Sequence, residues 1–238
     1  MNKAALITGA AKRIGAQIAI ELARSGYDIA LHYNSSEQDA LQTQKTILEN
    51  GVQCSLFKGD LGDKIYLSEL IKVAYSTFPN LSVLVNNASI FKRASITDTK
   101  FEMFEELIDV NLKAPYFLIK EFSSMCGSGN VVNILDTKIT KSQNVYAAYI
   151  LSRKSLAYLT EMAAVEFAPG IRVNGICPGL ILPAVNESKE YVERLSQKNL
   201  LKRKGSPENI TSTVKFILEN DFLTGEIIKV DGGENLIW

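Results

Sequence analysis

The chain has 238 residues, 46% of them hydrophobic, and balances 26 basic against 26 acidic side chains. That length and apolar content suit one α/β domain spanning residues 1–238, with no Pro/Gly/Ser-rich linker to divide it. Zero net charge argues against nucleic acid or an acidic membrane surface as main partner, and no apolar run approaches the ~20 residues of a membrane span.

The first apolar run, residues 4–8, ends in Thr8-Gly9, and an amphipathic stretch follows over 15–25. This spacing predicts a strand, a glycine-bearing turn and a helix start. Backbone N–H groups in such a turn can face a pyrophosphate, and the helix N-terminus favours its negative charge. A strand so close to Met1 leaves no room for a signal peptide, so a cytoplasmic protein is expected. Further strands are predicted over 28–33, 53–58, 83–86, 130–134, 172–176 and 226–230, several of them continuous apolar runs of the kind buried on both faces. Helices are predicted between them over 36–50, 64–78, 100–123, 145–167, 187–199 and 207–218, with Pro115 splitting the fourth just after Asn111. Repeated β-α units imply a single-domain, Rossmann-type, doubly wound parallel sheet of about seven strands with helices on both faces. Its ligand should lie at the carboxyl ends of the strands, near the switch point. Cys54, Cys126 and Cys177 share no metal-like spacing and read as buried thiols in a reducing cytosol, with no metal site.

Each predicted strand is followed by a chemically distinctive loop. These are Thr8-Gly9 through Gly15, then Gly59-Asp60-Leu61, Asn86-Asn87-Ala88-Ser89, Asp136, and Cys177-Pro178-Gly179. Tyr149 and Arg153 lie one helical turn apart and share a face. Together the set resembles the short-chain dehydrogenase/reductase family across essentially the whole chain. The resemblance implies a phosphate turn at Gly9, Ile14 and Gly15, and an acid at Asp60, beside Leu61, that holds the adenine amino group. It implies a ribose-flanking stretch at Asn87, Ala88 and Ser89, and a helix asparagine, Asn111, that supports a proton-relay water. Tyr149 would be the catalytic acid, Pro178-Gly179 the turn beside the nicotinamide, Val230-Asp231-Gly232-Gly233 the final strand and turn, and residues 179–205 the substrate loop. Assembly as a homotetramer through the fourth and fifth helices is also implied.

Three departures resemble the pteridine reductase and dihydromonapterin reductase branch. Arg13 stands where most members carry glycine, Asp136 stands where most have serine, and Phe91 follows Asn87-Ala88-Ser89-Ile90. Leu31-His32-Tyr33 and the run from Ala114 to Lys120 look like that branch too. The substrate set implied is Arg13, Ser89, Phe91, Asp136 and Tyr149, around a pterin. A flat pterin stacked between Phe91 and the nicotinamide would bury both its faces. A carboxyl at 136 can bond ring-edge N–H groups or pass a proton to nitrogen, whereas a serine hydroxyl suits a carbonyl oxygen. After Tyr33 come Asn34-Ser35-Ser36 with no acid before Glu37, so nothing at the strand end repels a 2′-phosphate. With Arg13 or Lys12 to supply charge, NADPH is the expected cofactor. Where the family has Tyr-x-x-x-Lys, this chain has Tyr149 and Arg153, which keeps the charge but not proton exchange. Lys154 should point about 140° away on the helix wheel. A frame starting at Tyr146 gives Tyr-x6-Arg and resembles enoyl reductases; Asp136 and its spacing favour Tyr149.

Plainer roles exist for several of these residues. Phe91 could pack within its loop, Asp136 could cap a turn, and Arg13 could be solvated. His32, the sole histidine, is expected to be packed and is given no role. Lys202-Arg203-Lys204 reads as a solvated loop, and Leu180-Ile181-Leu182-Pro183-Ala184 as a lid base or a buried connector. Two alternatives to the pterin reading remain: a carbonyl (3-oxoacyl or keto) reductase, and a catalytically weak NADPH sensor or interaction protein.

Overall fold

The computed structural model describes residues 2–183 and 188–237. Its sheet is built from β1 (Ala4–Ile7), β2 (Asp28–Tyr33), β3 (Cys54–Lys58), β4 (Leu81–Asn86), β5 (Gly129–Ile134), β6 (Ile171–Pro178) and β7 (Ile227–Val230). All pairings are parallel, in the order β3-β2-β1-β4-β5-β6-β7. Every residue of β1 and β2 is buried, as continuous apolar runs between two helical layers require.

One layer is α1 (Arg13–Arg24), α2 (Glu37–Leu48) and α8 (Pro207–Glu219), which turn Ile18, Leu22, Ala40, Ile47, Ile210 and Val214 onto the sheet. The other is α3 (Lys64–Thr77), α5 (Ala114–Cys126) and α6 (Ala147–Phe167), which contribute Leu70, Ile71, Leu118, Phe122 and Ala163. Two shorter helices, α4 (Phe101–Ile108) and α7 (Lys189–Ser196), complete the set. The predicted start of α7 at Glu187 lies outside the described residues.

The fourth predicted helix is divided at Pro115 as expected, into α4, a π-helical turn over Asp109–Lys113, and α5 with Pro115 in its first turn, while two other sequence expectations need correction. Pro115 has no N–H for the carbonyl four residues back, so the regular ladder breaks at Asn111. Next, β6 runs through Cys177 and Pro178, which pair with Lys229 and Val230, so only Gly179 begins the loop. Finally, the three cysteines are free thiols, but only Cys177 is fully buried.

A buried polar ladder ties the middle of the sheet to α6. Asn86 Nδ2 donates to Asn133 Oδ1 (2.8 Å), Asn133 Nδ2 donates to Thr160 Oγ1 (2.9 Å), and that hydroxyl donates to the Leu156 carbonyl (2.8 Å). Asn133→Val would leave the buried Asn86 amide unmatched and take one bond from Thr160, and should cost about 2 kcal/mol in urea unfolding. An unchanged midpoint would show that the ladder contributes nothing.

Candidate active site

A parallel sheet delivers every strand-end loop to one edge, and the β1/β4 neighbours diverge there into a crevice. The two loops facing that crevice are locked together. Thr8 Oγ1 accepts from the Asn87 and Ala88 backbone N–H groups, both at 3.0 Å, and Asn87 Nδ2 donates to the Thr8 and Gly9 carbonyls at 2.9 and 3.1 Å. Only glycine fits at 9 and 15. Gly9 has φ +62°, and a Cβ at Gly15 would lie 2.5 Å from both Asn87 Nδ2 and the Gly9 carbonyl. Ile14, between them, is half-buried.

Arg13 also has positive φ, 58°, which explains why glycine suits this position and marks local backbone strain. Its Nη2 donates to the Pro183 carbonyl (2.7 Å), so the guanidinium clasps the loop that follows β6. Within that loop Ile181 is buried in the core, so the run from Leu180 begins as a buried connector; Ala184 lies outside the described residues. Lys12 pairs with Asp39 and Glu37 with Lys58, which neutralises both acids in the first turn of α2. Asn34 and Ser35 are exposed and Ser36 is half-buried at the end of β2. The Tyr33 and Leu61 side chains turn into the core. Asp60 is exposed and accepts from the Gly62 N–H (2.9 Å).

At the other end of the crevice Asp136 does two things. Its Oδ1 accepts from the Lys138 N–H (2.7 Å), capping a short 3-10 turn over Thr137–Thr140, and its Oδ2 accepts from the Tyr149 hydroxyl (2.7 Å). The cap on the turn therefore coexists with the bond from Tyr149. Tyr149 is 4% exposed and Arg153, one turn along α6, is 2% exposed. The Arg153 Cζ lies 5.6 Å from the Tyr149 ring centroid, Nη1 donates to the Ile134 carbonyl (3.3 Å), and Nε is buried with no partner. Burial pushes the Tyr149 phenol above its ordinary range; Arg153 pulls it down, and Asp136 pushes it up again. The phenol is therefore protonated at neutral pH and can act as an acid. Lys154 is exposed, facing away from this site.

Tyr146 does not take the place of Tyr149. It stacks on Phe91 (4.8 Å between centroids, 28°), and Phe91 meets Tyr149 edge-on at 4.7 Å. Phe91 is 47% exposed, so it packs against the start of α6 and still offers surface to a guest. Ser89 beside it is exposed. The Asn111 side chain, by contrast, is fully occupied. Its Oδ1 accepts from the Ile90 N–H, and its Nδ2 donates to the Ile90 carbonyl (both 2.9 Å) and to Ser152 Oγ (3.2 Å). It anchors the Phe91 loop to α6.

Two features were not anticipated. The buried Asp231 carboxylate accepts from Thr137 Oγ1 (2.6 Å) and from the Gly233 and Asn235 N–H groups, which fixes the turn behind Asp136 and backs Pro178-Gly179. His32 is also no passive core residue. Its Nδ1 accepts from the Gly9 N–H (3.2 Å) and its Nε2 meets the Gly59 carbonyl (3.1 Å). No group of metal-ligating side chains occurs among the described residues, and no described helix is long and apolar enough to cross a membrane.

Residues 9–235 match a family model described as enoyl-(acyl carrier protein) reductase. The chain belongs to the short-chain dehydrogenase/reductase family. Among short-chain reductases, the 3-oxoacyl-[acyl-carrier-protein] reductase of Staphylococcus epidermidis is 32% identical, covering 98% of this chain and 99% of the relative. The alternative dihydrofolate reductase 1 of Brucella suis, solved in complex with NADP, superposes with a TM-score of 0.95 at 32% identity, over 100% of this chain and 96% of the other. A blue fluorescent protein from a metagenomic library, solved with NADPH, has a TM-score of 0.91 at 28% identity, over 98% and 97% of the two chains. The protein is thus an oxidoreductase of this family.

Burial lowers the His32 pKa from 6.5 to about 4, opposed by its bond to the Gly59 carbonyl and by Asp60. As pH falls below 6.5 the unfolded chain takes up this proton first, so stability is full above that pH and is lost on the way down to about 4. Urea unfolding should show roughly 2 kcal/mol less stability from this group at pH 5 than at pH 7, at ~1.36 kcal/mol per pKa unit. His32→Leu should remove that slope; an identical slope in the variant would refute the assignment.

Proposed function

We propose that this protein is an NADPH-dependent reductase of a pterin, of the dihydrobiopterin, dihydromonapterin or dihydrofolate type. The observation that carries the reading is the 2.7 Å bond between the Tyr149 hydroxyl and a carboxylate, Asp136, beside the half-exposed face of Phe91. NADPH, when bound, supplies a hydride. The residues fit that cofactor: the Gly9 and Gly15 cradle has no room for side chains, and the buried Arg153 Nε lacks an acceptor that a ribose hydroxyl would provide. Gly9, Arg13, Ile14, Gly15 and the Asn87-Ala88-Ser89 stretch would hold its phosphates and ribose, with Asn34, Ser35 and Ser36 near the 2′-phosphate.

The chain's own groups then manage the substrate. Phe91 stacks on a flat ring, and Asp136 accepts from ring-edge N–H groups, which selects an amino-substituted heterocycle over a simple ketone. Tyr149 delivers a proton to the ring nitrogen that gains charge, and Arg153 stabilises the phenolate left behind. A keto substrate is the second reading, supported by the 32% likeness to the Staphylococcus epidermidis enzyme. Purified protein given NADPH with either a dihydropterin or a panel of 3-oxo compounds, followed by cofactor absorbance, separates the two. Pterin turnover is expected; turnover of ketones alone would overturn the reading, and binding without any turnover would favour a sensor.

Asp136→Ala should lower pterin kcat/KM by about 100-fold or more while NADPH binding stays near normal. Equal loss of both would make Asp136 structural. Arg153→Lys should retain or raise the rate, because an ammonium also carries the charge and adds an exchangeable proton.

We also propose a homotetramer. The outer faces of α5 and α6 expose Tyr116, Phe117, Leu151, Tyr158 and Met162, an apolar patch continuous enough to bury against a second copy. Light scattering should report four chains, and Tyr158→Glu with Met162→Glu should yield smaller species; a wild-type monomer would refute this. A reducing, cytoplasmic setting fits the three free thiols, which burial raises to about 12, 11 and 12 at Cys54, Cys126 and Cys177.

A further inference from the structure

His32 is the penultimate residue of β2, whose other residues Ile29, Ala30, Leu31 and Tyr33 are apolar or aromatic and buried, and it is itself 2% exposed. Burying an imidazole there is costly unless both nitrogens find partners. Both do, and the partners belong to two different loops. The Gly9 N–H donates to Nδ1 (3.2 Å), so the ring proton is assigned to Nε2, which donates to the Gly59 carbonyl (3.1 Å). The His32 backbone adds a third bond, since its carbonyl accepts from the Ala10 N–H at 2.8 Å. Tyr66 closes the box. Its ring lies 5.8 Å from the imidazole and fills the space where a Cβ on Gly59 would sit at 2.2 Å.

These contacts have a consequence for ligand binding. Gly9 and Ala10 open the phosphate turn, and residue 32 takes both of their N–H groups. The donors left for a phosphate are those of the first turn of α1, which have no acceptor within the helix. Gly59 immediately precedes Asp60, the acid placed toward the adenine. One ring therefore sets the spacing between the pyrophosphate end and the adenine end of the cleft.

We propose that His32 is a positioning residue for the adenosine-pyrophosphate half of the dinucleotide, its neutral ring holding the phosphate turn at a fixed distance from the Gly59-Asp60 loop. The proposal rests on the NADPH reading above, but not on the identity of the substrate. It gives the dinucleotide site a dependence on the protonation of a group that touches no ligand. A proton on Nδ1 would face the Gly9 N–H, with Asp60 as the other titratable group acting on the imidazole and the Tyr66 ring tilted beside it.

The test uses full-length protein and three substitutions. His32→Leu removes both ring contacts, His32→Asn can keep an acceptor near Gly9, and His32→Gln can keep a donor near Gly59. Binding of 2′-phospho-ADP-ribose and of reduced nicotinamide mononucleotide is measured by calorimetry, alongside steady-state kinetics. His32→Leu should weaken the adenosine fragment about tenfold or more and leave the nicotinamide fragment within about twofold, raising KM for NADPH with kcat nearly unchanged. His32→Asn should recover part of the loss. Should the leucine variant not fold, the asparagine and glutamine variants carry the same comparison, and nitrogen NMR of the wild type should show Nε2 protonated and Nδ1 bare at pH 7. Equal weakening of both fragments, unchanged adenosine binding in a folded variant, or a proton on Nδ1 would overturn the proposal. A wild type that binds neither NADPH nor the adenosine fragment overturns the cofactor reading with it. Normal binding without pterin turnover overturns the pterin reading alone.

Discussion

Arg153 is buried to 2% exposure, and no ion pair to a carboxylate accompanies it among the described residues. An isolated buried cation costs several kcal/mol unless polar groups compensate. The fold supplies three partial answers: the Ile134 carbonyl at the end of β5, the face of Tyr149, and the Asp136 carboxylate one hydrogen bond further on. The unmatched Nε is the remainder. This charge holds the phenol below where burial alone would put it, and the carboxylate holds it above. The site is a balance in which no group can be removed without moving the proton affinity of the next.

Rigid supports let that balance persist. Asp136 is fixed from behind by the Thr137–Asp231 bond, Phe91 by the two-sided grip of Asn111 on Ile90, and the Gly9 turn by Asn87 on one side and His32 on the other. Each support joins loops far apart in sequence, so the strand ends behave as one body. That is the arrangement expected of a site that positions two molecules against each other.

Local pattern made much of this visible in advance. Continuous apolar runs marked the strands, Thr8-Gly9 and Gly15 marked the turn, Pro115 marked the helix break, and the spacing of Tyr149 and Arg153 placed them on one buried face. The long-range polar pairings stayed hidden. Nothing near His32 announces that it meets Gly9 and Gly59, and nothing near Arg13 announces Pro183, because these contacts depend on how three strands align. Side-chain direction at strand ends was equally opaque: Tyr33 and Leu61 lie in cofactor-like positions by sequence yet face the core. Fold and family do not settle substrate either, since reductases of quite different names share about a third of this sequence. The choice falls to the carboxylate at 136 and the ring at 91.

A diffraction structure of the ternary complex with NADP and a pterin tests that choice most directly. The pterin edge should sit on the Asp136 carboxylate with its ring flat against Phe91, and a ribose hydroxyl should occupy the open Nε of Arg153. A pterin bound away from Asp136, or an Arg153 Nε still without a partner in the loaded site, would contradict the account.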